Sequence, residues 1–132
     1  MSLHKGQCLC GSVQFELEDE FTGFFVCHCS RCRKDTGSAF ATNLFASGAN
    51  FCWLAGEDKV KHFQVPDTRF EKSFCRECGS PLATLQDGRL LIPAGTLDTP
   101  LETKPTANIF MDSRAPWEDK LSGAKRYSEF PS

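Results

Sequence analysis

The sequence contains no long hydrophobic run. None of its apolar stretches approaches the ~18 residues that a membrane-spanning helix requires, and the N-terminal segment 1–7 lacks the apolar core of a signal peptide. These absences predict a protein that neither spans a membrane nor is secreted. We therefore expect it in the cytoplasm.

A surplus of charge of one sign is also missing, since 15 basic and 17 acidic residues leave a formal net charge of −2. The basic residues are scattered apart from Arg31, Arg33 and Lys34, so the basic surface typical of nucleic-acid binding is not expected. Internal repeats, linkers and low-complexity tracts are absent as well. At 132 residues with 40% hydrophobic, the chain is expected to form a single domain over 1–132.

Helical periodicity of useful length is absent too, which leaves short strands as the main elements. Apolar and polar residues alternate from Val13 to Glu18, the period-2 pattern of a half-buried strand, and Asp87-Gly88 has the composition of a hairpin turn. Residues 30–36 are predicted to form one short helical turn that ends at Gly37. Further strand candidates run over 40–45, 59–65, 69–74, 81–85, 90–94 and 107–110. The predicted fold class is mainly β.

Phenylalanine is abundant, with twelve residues against one tyrosine and two tryptophans. A small β domain needs bulky apolar side chains to fill its interior. We therefore expect the phenylalanines to build the core rather than a binding surface.

Eight cysteines are the most informative feature of the composition. They fall in tight clusters, with one residue between Cys8 and Cys10 and two residues between Cys75 and Cys78, as metal ligands do. The even number is also compatible with a disulfide scaffold. Because no signal peptide is expected, the chain should lie in a reducing compartment, where disulfides are rare. Metal or thiol chemistry is therefore favoured.

The segment 74–81 has the form of a zinc knuckle, in which Cys75 and Cys78 approach one metal from a tight turn. Gly79 allows the positive φ that this turn needs and leaves backbone N–H groups free to point at sulfur. Structural Zn²⁺ takes four ligands in a closed tetrahedron, so a second pair is required, and Cys8 and Cys10 are its natural source. The alternative for Cys75 and Cys78 is a redox dithiol, although no thioredoxin-like βαβ pattern surrounds them.

A second cluster, Cys27, Cys29 and Cys32, places three thiols within six residues and has no obvious fourth cysteine. Three protein ligands and one exchangeable position are typical of a catalytic zinc site. Cys52 lies in an aromatic stretch and is expected to be an inert buried side chain. His28, between two of the cysteines, is either a proton carrier beside the metal or a hydrogen-bonded histidine of the core or surface.

The group Arg31, Arg33 and Lys34 crowds this second cluster. Cationic neighbours favour thiolate over thiol and can receive a substrate that carries a carboxylate. The alternative is a solvated basic turn. His4 and His62 have no clustered partners, and no role is assigned to them.

Four blocks of the sequence together resemble the glutathione-dependent formaldehyde-activating family, which also contains centromere protein V. The blocks are GQCLCGSV at 6–13, CHCSRCRK at 27–34 followed by GSAF at 37–40, FCRECGSP at 74–81, and IFMDSRAPW at 109–117. Each block alone is moderately specific. In this order they cover nearly the whole chain and make the resemblance strong.

The resemblance implies a β-tent, a small zinc-bound fold of two to three antiparallel sheets. It implies a carbon–sulfur lyase activity, in which a small thiol such as glutathione adds to an aldehyde such as formaldehyde or leaves the adduct. Zinc is the implied cofactor, one ion being structural and one catalytic and labile. The structural ligands are Cys8, Cys10, Cys75 and Cys78, and the catalytic ligands are Cys27, Cys29 and Cys32. The candidate substrate-binding residues beside them are Arg33, Lys34, Gly37 and Ser38.

Two functions remain open on this basis. One is an enzyme that makes or breaks a carbon–sulfur bond at the three-cysteine cluster. The other is a zinc-stabilised interaction module with the same fold, whose second cluster is vestigial or structural. The intact three-cysteine cluster favours the enzyme, because a module that needs only its fold could keep the four-cysteine site alone.

Overall fold

A computed structural model describes residues 2–131 of the chain. Most of the elements are strands of two to six residues, joined by tight turns. The strands are β1 (His4–Gln7), β2 (Gln14–Leu17), β3 (Gly23–Cys27), β4 (Ala41–Ala46), β5 (Phe51–Ala55), β6 (Val60–Gln64), β7 (Glu71–Cys75), β8 (Pro81–Leu82), β9 (Thr84–Gln86), β10 (Arg89–Pro93) and β11 (Ala107–Ile109). One α-helix, α1 (Ser30–Thr36), follows β3, and single 3₁₀ turns lie at Glu57–Lys59, Ala94–Thr96, Met111–Ser113 and Glu118–Gly123.

The strands form three sheets, which confirms the mainly β prediction. Their orders are β1-β2-β5, β11-β3-β4-β10-β9 and β6-β7-β8. Neighbouring strands are antiparallel except for β11, which runs parallel to β3. The expectation of purely antiparallel sheets is wrong at this one edge, because the segment 94–106 carries the chain back across the sheet before β11 begins. A connection of this length is what parallel pairing requires.

Several predicted turns have the expected backbone geometry. Asp87 and Gly88, between β9 and β10, both have positive φ (51° and 72°), as a type I′ hairpin turn requires. Helix α1 ends at Gly37 in the left-handed region, with φ 66°, and the N–H of Gly37 donates to the carbonyl of Arg33. The turn between β9 and β10 and the end of α1 are therefore determined by a glycine and the residues next to it.

The predicted strand over 81–85 is in fact two strands that belong to different sheets. β8 pairs with β7, whereas β9 pairs with β10 in the five-stranded sheet. The chain changes sheet at the buried Ala83. Strands β1 and β5 were not predicted, because the four residues of β1 are mostly polar and both strands owe their order to pairing with β2.

The main core lies between the first two sheets and includes Phe15, Leu17, Leu44 and Ile92, all fully buried. The expectation that the phenylalanines build this core is largely wrong, since Phe15 and Phe24 are the only two of the twelve that are buried. Three short sheets enclose little volume. Phe21 and Phe51 pack against the core from partly exposed positions, whereas Phe63, Phe110 and Phe130 are exposed.

Gly6 on β1 tests how tightly the first sheet is packed. A Cβ at this position would lie 2.4 Å from Cζ of Phe15 and 2.5 Å from the carbonyl oxygen of Thr96. We expect Gly6→Ala to lower the free energy of unfolding by about 1–3 kcal/mol, the usual cost of overpacking. Gly95→Ala is the matched control, because a Cβ there would meet nothing within 4 Å. Thermal melts of the two purified variants would measure the difference, and equal melting temperatures would contradict the packing described.

Candidate metal centres

The first cluster joins two turns that are far apart in sequence. Cys8 and Cys10 follow β1, while Cys75 ends β7 and Cys78 lies in the turn after it. All four sulfur atoms lie within 4.8 Å of one another, with 3.6 Å from Cys8 to Cys10 and 3.9 Å from Cys10 to Cys75. Four thiolates at ~2.3 Å from a tetrahedral zinc would be separated by about 3.8 Å. The sulfur positions therefore fit one metal ion with four thiolate ligands.

Backbone groups in both turns point at the sulfurs. The N–H of Val13 donates to Sγ of Cys8, and the N–H of Glu77 donates to Sγ of Cys75, each at 3.4 Å. Gly79 has φ 78° and donates its N–H to the carbonyl of Cys75 at 2.7 Å, which closes the knuckle. The N–H groups of Val13 and Glu77 stabilise negative charge on the sulfur atoms that accept from them.

Two serine hydroxyls complete the surroundings of the first cluster. The side chain of Ser80 hydrogen-bonds Sγ of Cys78 at 3.3 Å and, together with its own backbone N–H, lowers the pKa of Cys78 to about 5. Ser12 lies 2.9 Å from Sγ of Cys10. Cys8 and Cys75 are buried among Val13 and Leu82, whereas Cys10 is exposed. The site is thus built partly into the apolar interior.

The second cluster is formed at one end of the five-stranded sheet. Cys27 is the last residue of β3, Cys29 is the N-cap of α1, and Cys32 lies in the first turn of that helix. The three sulfur atoms lie within 4.8 Å of one another. The three sulfur atoms come together because β3 ends at Cys27 and α1 begins at Ser30, so the chain turns between the first and the last of these cysteines.

The electrostatics of the three thiols differ. Burial opposes ionisation of Cys29, but the N–H of Cys32, which donates to its sulfur at 3.3 Å, and the neighbouring thiols outweigh burial and lower the pKa of Cys29. Burial and the two neighbouring sulfurs raise the pKa of Cys32 well above its usual range. Burial also raises the pKa of Cys27. A bound cation would reverse the last two shifts, because it favours the thiolate form.

The remaining cysteine is not part of either cluster. Cys52 lies on β5, where alternate residues face opposite sides of the sheet, and its neighbours Phe51 and Trp53 pack against the core. Cys52 itself is exposed, with its sulfur 3.8 Å from a carboxylate oxygen of Glu16. The expectation that Cys52 is buried is therefore wrong. None of the eight cysteines forms a disulfide in the structure.

The three-cysteine cluster opens into a cavity of 380 Å³, which we call the cysteine cavity. Its walls are mainly aromatic and aliphatic, and they include Phe25, Phe45, Phe70, Leu91, Ile109 and Phe110. The polar groups on the walls are Ser30, Arg31, Asn43 and Ser113. A space of this size and chemistry suits a small organic molecule with one apolar and one polar part.

His28 lies on the other side of the three-cysteine loop and does not line the cysteine cavity. Its side chain is buried, with Nδ1 paired to the carboxylate of Glu118 and Nε2 at 3.0 Å from Oδ1 of Asn108. Its ring also packs against Phe40. Of the two interpretations given above, the structure supports a hydrogen-bonded core histidine. The pair with Glu118 ties the C-terminal 3₁₀ turn to the back of the loop.

The candidate substrate-binding residues fall into two groups in the structure. Lys34 lines a second cavity that adjoins the cysteine cavity, whereas Arg33 is half-buried and its Nε has no hydrogen-bond partner among residues 2–131. Gly37 and Ser38 lie at the far end of α1 and line neither cavity. Arg31, by contrast, lines both cavities.

The aromatic walls of the cysteine cavity were not predicted, although a signal for them existed. Phe25 lies two residues before Cys27 on β3 and therefore faces the same side of the sheet. Phe25 pairs with Asn43, which lies two residues before Phe45 on β4. Period-2 alternation counted backwards from Cys27 would thus have found Phe25, whereas Asn43 and Phe45 join the wall only through the pairing of β3 with β4.

A three-sheet β protein with one closed group of four thiols and one open group of three belongs to the class of small cysteine-rich proteins equipped for metal binding. Residues 3–113 match the family described as "Glutathione-dependent formaldehyde-activating enzyme", and the chain belongs to that family. The resemblance inferred from the sequence blocks is thereby confirmed.

A solved structure shows the same fold. This is the crystal structure of a Rhodobacter sphaeroides protein, a structural-genomics target, with a TM-score of 0.63 and 21% sequence identity over 79% of this chain and 98% of that one. No curated protein matches the chain significantly. Within residues 2–131, none of the helices is long and apolar enough to cross a membrane.

Glu118 tests whether the C-terminal 3₁₀ turn supports the three-cysteine loop. We expect Glu118→Gln to lower the free energy of unfolding by about 1–3 kcal/mol, because the change weakens a buried hydrogen bond of His28. Glu77→Gln is the control, since the side chain of Glu77 is half-exposed beside Arg76 and such pairs contribute less than about 1 kcal/mol. Denaturant titration of both variants would measure the two effects. A loss no larger in Glu118→Gln than in Glu77→Gln would show that the pair does not hold the turn.

Proposed function

We propose that the protein is a zinc-dependent carbon–sulfur lyase acting on adducts of a small thiol, such as glutathione, and an aldehyde, such as formaldehyde. The observation that carries this proposal is the open cluster of three cysteines facing a cavity, in a chain of the formaldehyde-activating family. Seven cysteines in two groups that could hold metal ions also suit a reducing compartment, which supports a cytoplasmic location.

The donor sets support two zinc ions with different roles. Cys8, Cys10, Cys75 and Cys78 offer four thiolates, the complete set for a structural zinc, and no position is left for substrate. Cys27, Cys29 and Cys32 offer three, so a zinc ion held there would accept the substrate sulfur in its fourth position and lower the pKa of that thiol.

The reaction forms one carbon–sulfur bond as the carbonyl π bond is lost, moves one proton from sulfur to oxygen, and needs no oxidant or reductant. In the addition direction, a lone pair of the substrate thiolate forms a bond to the carbonyl carbon of the aldehyde. The π electrons of the carbonyl move to its oxygen, and the proton lost by the thiol ends on that oxygen. In the lyase direction the same bond breaks, and the thiol and aldehyde are released.

Residues of the cysteine cavity can promote this step in two ways. The rings of Phe25, Phe70 and Phe110 place apolar surface around the reacting atoms, which strengthens electrostatic interactions inside the cavity. Asn43 and Ser113 place an amide and a hydroxyl on the walls, and these can hydrogen-bond the aldehyde oxygen as it gains charge. An aldehyde can thus be bound through hydrogen bonds to its oxygen alone.

The two proposed zinc sites can be separated by mutation. We expect Cys75→Ser to lose cooperative melting or soluble protein, because metal binding at a closed site contributes directly to folding. Cys29→Ser should keep the fold and one firmly bound zinc while losing thiol-dependent activity. Cys52→Ser is the matched control and should resemble the wild type, since Cys52 belongs to neither cluster. Elemental analysis before and after mild chelation, with thermal melts, would measure these outcomes.

Two results would contradict this division. Equal destabilisation by Cys75→Ser and Cys29→Ser would mean that both clusters are structural. Absence of zinc from freshly purified, reduced wild-type protein would overturn the metal assignment altogether.

Binding of glutathione through its sulfur is the second test. Glutathione at one hundred times its Kd should stabilise the fold by about 2.7 kcal/mol, a shift of several degrees in Tm. S-methylglutathione keeps both carboxylates but cannot form a thiolate, so it should shift Tm much less. Affinity for glutathione should rise with pH until the free thiol ionises near ~8.5, because binding releases the thiol proton. Identical shifts with both compounds would count against the lyase and favour a non-catalytic interaction module.

A further inference from the structure

The cysteine cavity continues into two branches on either side of Phe70. One branch, here called the basic groove, has a volume of 420 Å³ and shares Ser30, Arg31 and Phe70 with the cysteine cavity. The other branch, here called the neutral cleft, consists of two adjoining spaces of 280 and 160 Å³ along β7, β9 and β10. A substrate whose sulfur lies at the three cysteines must extend into one of them.

The charges of the two branches differ. Three cations and one carboxylate line the basic groove: Arg31, Lys34 and Lys72 with Asp35. Each space of the neutral cleft is lined by two cations and two carboxylates, and Arg69 and Asp87 form an ion pair there. A carboxylate is therefore attracted into the basic groove and gains little in the neutral cleft.

Two of the groove cations are free to bind an anion. Lys72 is already paired with Asp35, but neither Arg31 nor Lys34 forms an ion pair among residues 2–131. They lie three residues apart on α1, so their side chains share one face of the helix. Arg33 is two residues from Arg31 and faces elsewhere, which explains why Arg33 does not line the groove.

We infer that Arg31 and Lys34 bind the carboxylates of the thiol substrate and thereby determine which thiols the protein accepts. The inference rests on the proposed function, since it assumes that the substrate sulfur binds at Cys27, Cys29 and Cys32. The apolar part of the substrate then lies against Phe70 and Phe63, the latter half-exposed in the groove. Thiols with carboxylates are selected by charge, and neutral thiols are bound through sulfur alone.

Charge reversal with two thiols tests the inference. We expect Arg31→Glu and Lys34→Glu each to raise the Kd for glutathione by about tenfold or more, because a charged partner is replaced by a repulsive one. The Kd for 2-mercaptoethanol, which has no carboxylate, should change less than about twofold in both variants. Arg89→Glu is the matched control, because it makes the same charge change in the neutral cleft. Arg31→Lys should retain most of the affinity for glutathione.

The measurements are calorimetric titrations of zinc-loaded protein at low and high salt. Zinc content equal to that of the wild type shows that the change at Arg31 leaves the neighbouring cysteines intact. If wild-type protein binds both thiols but Arg31→Glu and Lys34→Glu bind glutathione as tightly as Arg89→Glu does, the groove assignment is wrong and the lyase proposal stands. If the wild type binds neither thiol, both proposals are overturned.

Discussion

The close approach of four sulfur atoms, from Cys8 and Cys10 on one side and Cys75 and Cys78 on the other, is the constraint on which the rest of the structure depends. Four thiols within 4.8 Å of one another cannot all ionise without a cation, because like charges this close repel strongly. Their juxtaposition joins the first sheet to the third across 65 residues of chain. A three-sheet fold with a small core gains most from a link that closes so long a loop.

That link also positions walls of the cavities beside the three-cysteine cluster. β7 carries Cys75 at its end and lines the neutral cleft with its earlier residues, while Phe70 lies just before it, between the branches. Residues of the third sheet thus line one cleft together with the end of the second sheet, where β3 and α1 supply the three-cysteine cluster. On the side away from the cysteine cavity, the pair of His28 and Glu118 links the three-cysteine loop to the C-terminal 3₁₀ turn. The three-cysteine cluster thus lies between these two supports.

Local chemistry made part of this predictable from sequence. The cysteine spacings, Gly79, the Asp87-Gly88 turn and the end of α1 are all decided within a few residues. β1, the parallel pairing of β11 and the change of sheet at Ala83 are decided by partners far along the chain, so no local pattern marks them. The cations near the cluster are different, because their arrangement follows from the predicted helical turn over 30–36. Arg31 and Lys34 lie three residues apart and share one face of α1, whereas Arg33, one of the candidate substrate-binding residues, lines neither the cysteine cavity nor the basic groove.

The separation of sulfur chemistry from charge recognition that we propose has a reason in the proposed reaction. An aldehyde as small as formaldehyde offers a single oxygen to recognise, so it can supply little binding energy for specificity. Discrimination between substrates must then come from the thiol, at atoms distant from the reacting bond. Binding energy gained there can orient the sulfur at the cluster. A cationic helix face one turn long, beginning between Cys29 and Cys32, meets this need, because recognition and reaction then share one rigid element.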